Sequence, residues 1–532
     1  MASKAAAVTV AANDAQIAEG ISDRLSQELV FAMVGPIGSG VSTAAQMLKD
    51  ILEGQYQYKV APLLRPSDVI RERASTLGIA LPDKQDIANY VDKMQTAGNA
   101  LRQRFGGNYL VEKVVERIRQ FREADGGYVV NGQQRTELPG RRAYIIDSLK
   151  NPDELALLKS IYRDTLCVVG VFAPDQIRRQ RLRDANFSHD AVDTIIRRDA
   201  GELVTFGQAT RKLFTQADFF VCNDKLRDEL ETGLKRFIEI VFDVAIHTPT
   251  RAESAMYEAD AAAANSACLS RQVGASIISV SGELIAVGWN DVPKFGGGLY
   301  VEDDRSQHDA EVGGLIDKDH RCYNWRGGKC HNETRREKLI GEVAGAATTA
   351  GDIAAEKADK ARGAIAATAI RDLIEFSRSI HAEMEAILAV AREGKHSLVG
   401  ATLFTTTYPC HNCARHIVAS GITKVVYIEP YLKSLAIELH DDVISEVPGT
   451  KDKVLFRQFD GVAPVNYLKL FRMKNARKQE GFLIRPDRAT AVPVFRVPLD
   501  AQQMYEDKVI ADVAAKEQTT NIRENGSAQE GG

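Results

Sequence analysis

Excess positive charge is missing from this 532-residue chain: 68 Lys and Arg face 72 Asp and Glu, for a formal net charge of −4. Proteins that hold duplexes or long single strands present a basic face, so this balance argues against a large nucleic-acid footprint and leaves room only for a local basic groove. Aromatic residues are scarce at 7%, with two Trp, which argues against a row of stacking platforms for single-stranded bases. No apolar stretch approaches the ~20 residues that span a bilayer. The Ala-rich opening "MASKAAAVTVAANDAQ" lacks the long Leu-like core of a secretory signal. A cytoplasmic protein without membrane contact is expected. Cysteines number seven, an odd count that fits a reducing compartment.

Hydrophobic residues at 44% and charged ones at 26% are the composition of globular domains, and the length is too great for one ordinary core. The first half alternates apolar strands with charged helical stretches: "LVFAMVGPIGSGVST", "AYIIDSL", "TLCVVGVFA" and "ADFFVCND" read as strands of a parallel sheet. Pro and Thr in "AIHTPTRAE" break the pattern and mark a boundary. Beyond it come a helix, a hairpin turning at Ser281-Gly282, a long insertion with one or two Ala-rich helices, and then a helix, strand, helix and strand. The expected organisation is α/β throughout. Residues 1–25 form a disordered lead-in, 26–246 a first domain, 250–512 a second with its insertion at about 291–378, and 513–532 a disordered polar tail.

Within the second domain, "HAEMEAILAVAREG" begins with His381 and Glu383 at the mouth of an amphipathic helix, where an isolated pair would only cap the helix and favour its dipole. Downstream, "TTTYPCHNCARHIVASG" places Cys410 and Cys413 three apart in a first helical turn, framed by Pro409 and Gly421. Thiolates so spaced share one face and can hold a tetrahedral ion at ~2.3 Å, with an imidazole at ~2.0 Å as third ligand. Three protein ligands leave a fourth place, which in a catalytic zinc site takes a water of lowered pKa, roughly 7. Glu383 beside that water, off the metal, would serve as proton shuttle. His381, Cys410 and Cys413 are therefore the expected zinc ligands and Glu383 the catalytic residue.

In the first domain, "GPIGSGVST" follows an apolar strand and opens a helix, the required context for a phosphate-binding P-loop. Gly35, Gly40 and Ser42 match the pattern, and Gly38, Ser39 and Thr43 complete the candidate nucleotide cradle. Val41, however, stands where the pattern has lysine. Backbone N–H groups can still cradle phosphates, yet the cation that follows a transferring phosphoryl is missing from its usual place. Nucleotide binding or a regulatory role is expected, with phosphoryl transfer requiring another Lys or Arg. The stretch "VFAPDQIRRQRLRDAN" resembles the segment of nucleoside monophosphate kinases and dephospho-coenzyme A kinase whose arginines line the donor phosphates, here Arg178, Arg179, Arg181 and Arg183.

His-x-Glu followed by Pro-Cys-x-x-Cys is the signature of zinc-dependent nucleobase deaminases. "CLSRQVGASIISVSGELIAVGWNDVP", "HAEMEAI", "PCHNCARHIVASGITKVVYIEPY" and "FDGVAPVNYLKLF" together resemble deoxycytidylate deaminases. That family carries a G-Y-N-G-x-P loop near its substrate, where this chain has Gly288-Trp289-Asn290-Asp291-Val292-Pro293. The resemblance makes Asn290 a candidate substrate contact, and Tyr408 is a second, as a ring that could stack on the base. Cys268 matches a position at which some deoxycytidylate deaminases hold a second, structural zinc, with Cys322, Cys330 and His331 as companions.

The whole chain resembles the bacterial anti-phage dCTP deaminases, a kinase-like P-loop domain fused to a cytidine deaminase-like α/β/α domain with a long helical insertion. The resemblance implies conversion of dCTP to dUTP and dCMP to dUMP, depletion of the dCTP pool, an inhibitory small RNA and a homo-oligomer. For an RNA, the short basic clusters on offer are "RREK" at 335–338 and "IRRQRLRD". Two other readings stay open at this point: deamination of cytosine or adenine in single-stranded nucleic acid, and a regulatory assembly driven by the P-loop domain.

Overall fold

The computed structural model describes residues 24–529, apart from residue 84 and the segments 132–133, 201–208, 225–226 and 431–433. The expected lead-in thus lies outside the described residues except for Arg24 and Leu25. The chain divides into two compact units, residues 249–459 forming one, and residues 1–248 with 460–532 the other.

The first unit is built on a central strand β1 (Leu29–Val34) whose six residues are all buried, as a strand covered on both faces of a parallel sheet must be. In chain order follow α1 (Val41–Tyr56), β2 (Lys59–Val60), α2 (Pro66–Arg73), α3 (Ile87–Phe105), α4 (Tyr109–Ala124), β3 (Arg142–Asp147), β4 (Leu166–Phe172), α5 (Asp175–Asp184), α6 (His189–Ala200), β5 (Phe219–Cys222) and α7 (Arg227–Phe242). Strand order is β5-β4-β1-β3-β2, all parallel. The glycine loop therefore leaves the carboxyl end of the middle strand, where open α/β sheets bind ligands. Gly40 closes the loop with φ +82°, and a Cβ there would lie 2.1 Å from the Asn223 side-chain nitrogen; both facts require glycine.

The second unit starts with α8 (Arg251–Ala263), capped by Thr250 and Glu253 in a reciprocal box. It continues through β6 (Gly274–Ile278), β7 (Leu284–Trp289), α9 (His331–Thr349), α10 (Ala358–Ala366), α11 (Ala382–Glu393), β8 (Thr402–Thr407), α12 (His411–Ala419), β9 (Lys424–Glu429), β10 (Ile444–Ser445) and β11 (Val454–Gln458). The sheet order is β10-β11-β9-β8-β6-β7. Two glycines let helices lie on opposite faces. A Cβ on Gly274 would strike the Ala259 carbonyl of α8 at 1.8 Å, and one on Gly288 the Ala382 carbonyl of α11 at 2.4 Å. The mixed α/β character and the Gly282 hairpin turn agree with the sequence reading; the stretch read there as an insertion holds a short hairpin (Gln307–Asp309 with Gly314–Ile316) followed by α9 and α10.

The boundary at 512 does not hold. From Asp460 the chain belongs to the first unit: β12 (Gly461–Val462) pairs antiparallel with Phe219 and Phe220 of β5, covering an edge that would otherwise expose backbone donors and acceptors. Val462 and Leu470 enter the core beside Phe219 and Phe237. The expected disordered tail is likewise corrected, because α13 (Leu499–Gln529) runs through it. Val513 is buried with Tyr109 and Leu110, and Lys516 pairs with Glu112. Polar residues hide this helix from a periodicity search: Gln502 and Glu506 are fully buried, Glu506 through an ion pair of 2.6 Å with the equally buried Arg122.

Candidate active site

Two helix N-termini of the second unit meet at three side chains. His381 occupies the N-cap position of α11 in extended conformation, yet its side chain makes no capping bond; Nδ1 lies 3.3 Å from Cys410 Sγ and 3.3 Å from Cys413 Sγ. Cys410 is the N-cap of α12, its sulfur accepting from the Cys413 N–H at 3.4 Å. Positive helix ends on both sides favour thiolates here. The three ligand atoms lie within 4.8 Å of one another, and among the described residues no other such His, Cys and carboxylate group is found. Tetrahedral bonds of ~2.3 Å to sulfur and ~2.0 Å to nitrogen place N and S about 3.5 Å apart, close to the two nitrogen–sulfur distances of 3.3 Å found here.

Position follows from β-structure on either side. Asp291 pairs with Ile380 in an antiparallel bridge, Ile380 N–H donating to the Asp291 carbonyl at 2.9 Å, which fixes His381 one residue on. The Asp291 carboxylate is buried and accepts the Ala267 and Val292 amides at 2.8 Å each. Cys410 stands three residues past the end of β8.

Charge in the cluster is shared. The Cys410 thiol is pushed down to about 4, first by the hydrogen bond from Cys413 and then by His381, while Cys413 goes up through the same bond. His381 is raised to about 9, chiefly by its bond to Cys410. Glu383 is buried, and that burial raises its carboxyl to about 6; the same carboxyl reaches the Cys413 sulfur. A carboxyl poised near neutrality beside a metal triangle can both take and return a proton.

A cavity of about 130 Å³ opens beside His381 and Cys413, bounded by Ile374, Ser377, Ser379, Met384, Asn412 and His416. Sequence reasoning named none of these six as site residues, Met384 reading only as a core-facing position of its amphipathic helix. Asn412 had a signal, its place between the two cysteines; Ile374 and Ser377 sit at the end of the insertion, where only the fold brings them to the metal triangle. Asn332 of α9 ties that end down, bonding the Leu373 carbonyl at 3.0 Å and the Phe376 amide at 3.2 Å.

The remaining candidates fare differently. Asn290 is buried and holds the preceding loop, donating to the Arg271 carbonyl at 2.9 Å and accepting from the Val273 amide at 2.7 Å. Tyr408, expected to stack on a base, is a core ring set edge-on to Tyr427 and Phe456 at 4.7 and 5.5 Å. Its strand-end position makes it part of the sheet's packing. Cys268, Cys322 and Cys330 are near enough for both neighbours to raise the Cys322 thiol, after burial, but with His331 they do not close to a ligand cluster; His331 packs on Trp325 at 5.2 Å. All seven cysteines are unbridged. In the basic cluster at 335–338, Arg335 and Lys338 both face Glu342.

Around the glycine loop of the first unit, Arg178 bonds the Ile37 carbonyl at 3.0 Å and Arg181 the Gly38 carbonyl at 3.2 Å. Arg179 instead pairs with Asp175 and Asp193, and Arg183 with Gln180. Gly35, Gly38, Gly40, Ser42 and Thr43 border one cavity, whereas Ser39 is buried behind it. No helix of the described residues is long and apolar enough to cross a membrane.

Residues 249–429 match the family model for the cytidine and deoxycytidylate deaminase zinc-binding region. The deoxycytidylate deaminase of Enterobacteria phage T2 is 53% identical over 55 residues, 10% of this chain and 29% of that protein. That of Mycobacterium phage D29 is 49% identical over 49 residues, 9% and 36% respectively. The chain thus spans about a third of the length of these relatives. The apo dCMP deaminase structure from cyanophage S-TIM5 aligns over 40% of this chain and all of its own, at 17% identity and a TM-score of 0.22. His381, Cys410 and Cys413 all lie within residues 249–429, the stretch similar to the cytidine and deoxycytidylate deaminase zinc-binding region.

Proposed function

We propose that the protein catalyses hydrolytic deamination of deoxycytidine nucleotides, dCTP to dUTP and dCMP to dUMP, each consuming one water and releasing one ammonia. The observation that carries this reading is Glu383, a buried carboxyl raised to about 6 beside a zinc-shaped triangle and a cavity. A pure metal clamp has no use for such a group. His381, Cys410 and Cys413 would hold the zinc, which supplies the Lewis acidity that makes water a nucleophile near neutral pH. Glu383 would take the two protons of that water in turn, passing one to the ring nitrogen N3 and one to the departing amine, as C4–O forms and C4–N breaks. Burial keeps Glu383 at a pKa suited to both transfers. Asn290 has two of its four hydrogen-bonding positions engaged, and the others serve substrate in this reading.

The biological proposal follows the sequence resemblance: depletion of dCTP in anti-phage defence, a homo-oligomeric cytoplasmic enzyme, inhibition by a small RNA, and a nucleotide-binding, regulatory first unit. A second zinc at Cys268, Cys322, Cys330 and His331 belongs to the same proposal. It is decided by metal stoichiometry: two zinc ions per chain, falling to one in Cys322→Ser, support it, and one in both proteins removes it.

The test offers zinc-loaded protein dCTP, dCMP, CTP, cytidine and a short single-stranded DNA, with Glu383→Ala as control. Ammonia release from the deoxynucleotides alone, silent in the variant, supports the proposal. Conversion of the oligonucleotide alone would replace it with a polynucleotide deaminase.

A further inference from the structure

The cavity of about 130 Å³ beside the metal triangle is well below the ~300 Å³ at which pockets for whole ligands begin. It has room for a pyrimidine ring, so the sugar and phosphates of a nucleotide must cross its rim. Ser377 and Ser379 form one stretch of that rim, tied together by the Ser379 amide donating to Ser377 Oγ at 3.1 Å. Between them stands Arg378.

The Arg378 guanidinium lies 3.7 Å from the centroid of the Trp325 ring, and that of Arg326 lies 4.3 Å from the same ring. Stacking on an indole restrains both forks before any ligand arrives. Arg326 takes its place in the left-handed region, at φ +45°, ahead of Gly327 and Gly328, a strained conformation for a residue with a side chain. Lys329 completes the group around Trp325 and its neighbour His331, whose rings are 5.2 Å apart: burial holds the His331 imidazole below its ordinary range, and Arg378, Lys329 and Arg326 push it the same way. None of the three cations makes an ion pair with a carboxylate among the described residues. Arg378 donates one of its five N–H groups to the His320 carbonyl at 3.2 Å, and the others have no protein partner among the described residues. Like charges so gathered repel one another and attract an anion, and guanidinium forks match phosphate oxygens. A zinc ion held by Cys268, Cys322, Cys330 and His331 would bring one net negative charge with its three thiolates and still leave the group positive.

We propose that Arg378, Arg326 and Lys329 hold the phosphate chain of the nucleotide being deaminated, Arg378 at the phosphate nearest the sugar and Arg326 and Lys329 at the terminal ones, so that the insertion selects a triphosphate over a monophosphate. The inference rests on the deaminase reading and deepens it by naming the residues that set phosphate specificity.

Steady-state kinetics of the zinc-loaded full-length protein with dCTP, dCMP and deoxycytidine test it. Wild type should favour dCTP over dCMP, and dCMP over deoxycytidine, in kcat/KM. Arg326→Gln with Lys329→Gln should lower the dCTP-to-dCMP ratio about tenfold or more, the loss of charge-assisted contacts, chiefly through a higher KM for dCTP. Arg378→Gln should lower the dCMP-to-deoxycytidine ratio by a similar factor, and Arg378→Lys, which keeps the charge but not the fork, should fall between Arg378→Gln and wild type. A merely structural contact would depress all three substrates alike, so unchanged ratios in these variants would overturn the proposal. Calorimetry of dCTP with Glu383→Gln, which forms the complex without turnover, separates this proposal from the deaminase reading. Binding weakened about tenfold when Arg326, Lys329 and Arg378 are all replaced by Gln supports the phosphate site even if wild type releases no ammonia, a result that would remove only the chemistry. Equal affinity with and without those three changes would overturn the phosphate site and leave deamination, read as ammonia release by wild type, standing.

Discussion

His381 Nδ1 stands 3.3 Å from each of two sulfurs, Cys410 Sγ and Cys413 Sγ, and the residue two positions after that histidine is the buried Glu383. Metal and proton chemistry are thus separable by mutation. Glu383→Gln should keep wild-type zinc content, measured by plasma emission, and lose about 10²- to 10⁴-fold in kcat. Cys413→Ser should lose zinc and activity together. Zinc loss in Glu383→Gln would make the carboxyl a ligand.

Gly288 and Gly274 separate the two helix layers. Alanine at either should destabilise the second unit, since each Cβ meets helix backbone below 3 Å. Only Gly288→Ala pushes on α11, which starts next to His381 and contains Glu383. It should therefore weaken zinc retention against a chelator, and Gly274→Ala should not. Equal zinc loss in both would mean that general unfolding governs the site.

Tyr408 distinguishes core from platform. Tyr408→Ala should cost about 3–5 kcal/mol of stability, as for other buried aromatic truncations. Tyr408→Leu restores bulk without an aromatic face and should recover most of the stability with KM near wild type. A KM rising several-fold in a well-folded Tyr408→Leu would return the ring to the substrate.

A buried ionic cluster in the first unit makes its stability depend on pH. Glu137 is fully buried near Arg122, Glu28, Glu506 and Arg142, and burial lifts its carboxyl from an ordinary 4.5 to about 8 against the pull of Arg122. A pKa raised on folding stabilises the native state below about 4.5, and that contribution is lost as pH rises through about 8. Glu137→Gln should raise the thermal midpoint relative to wild type at pH 9, with little difference at pH 5. A pH-independent difference would show that Glu137 is ionised throughout.

The metal triangle and the carboxylate beside it were legible because their residue types are rare and their spacing is local: Cys410 and Cys413 share one helical turn, and His381 and Glu383 another. Four strands of each sheet were legible from apolar runs such as "LVFAMV", whereas β2, β10, β11 and β12 were not. Helix α13 was not, because its buried face is held by Glu506 against Arg122, some 384 residues apart in sequence, and polar burial has no apolar period to reveal it. Tyr408 is ambiguous for a related reason, since a strand-end tyrosine looks the same in sequence whether its ring meets a ligand or Phe456.

By itself, the sequence determined chemistry of short range: which side chains can share an ion, where a glycine loop opens a helix, and that lysine is absent from it. Tertiary structure alone decided what comes from far along the chain. It set Arg378 against Trp325 and brought the end of the insertion to His381. It also returned residues 460–529 to the first unit. These pairings depend on closing long loops, whose entropic cost is met by buried area and ion pairs distributed over the whole fold, and no local pattern encodes that sum.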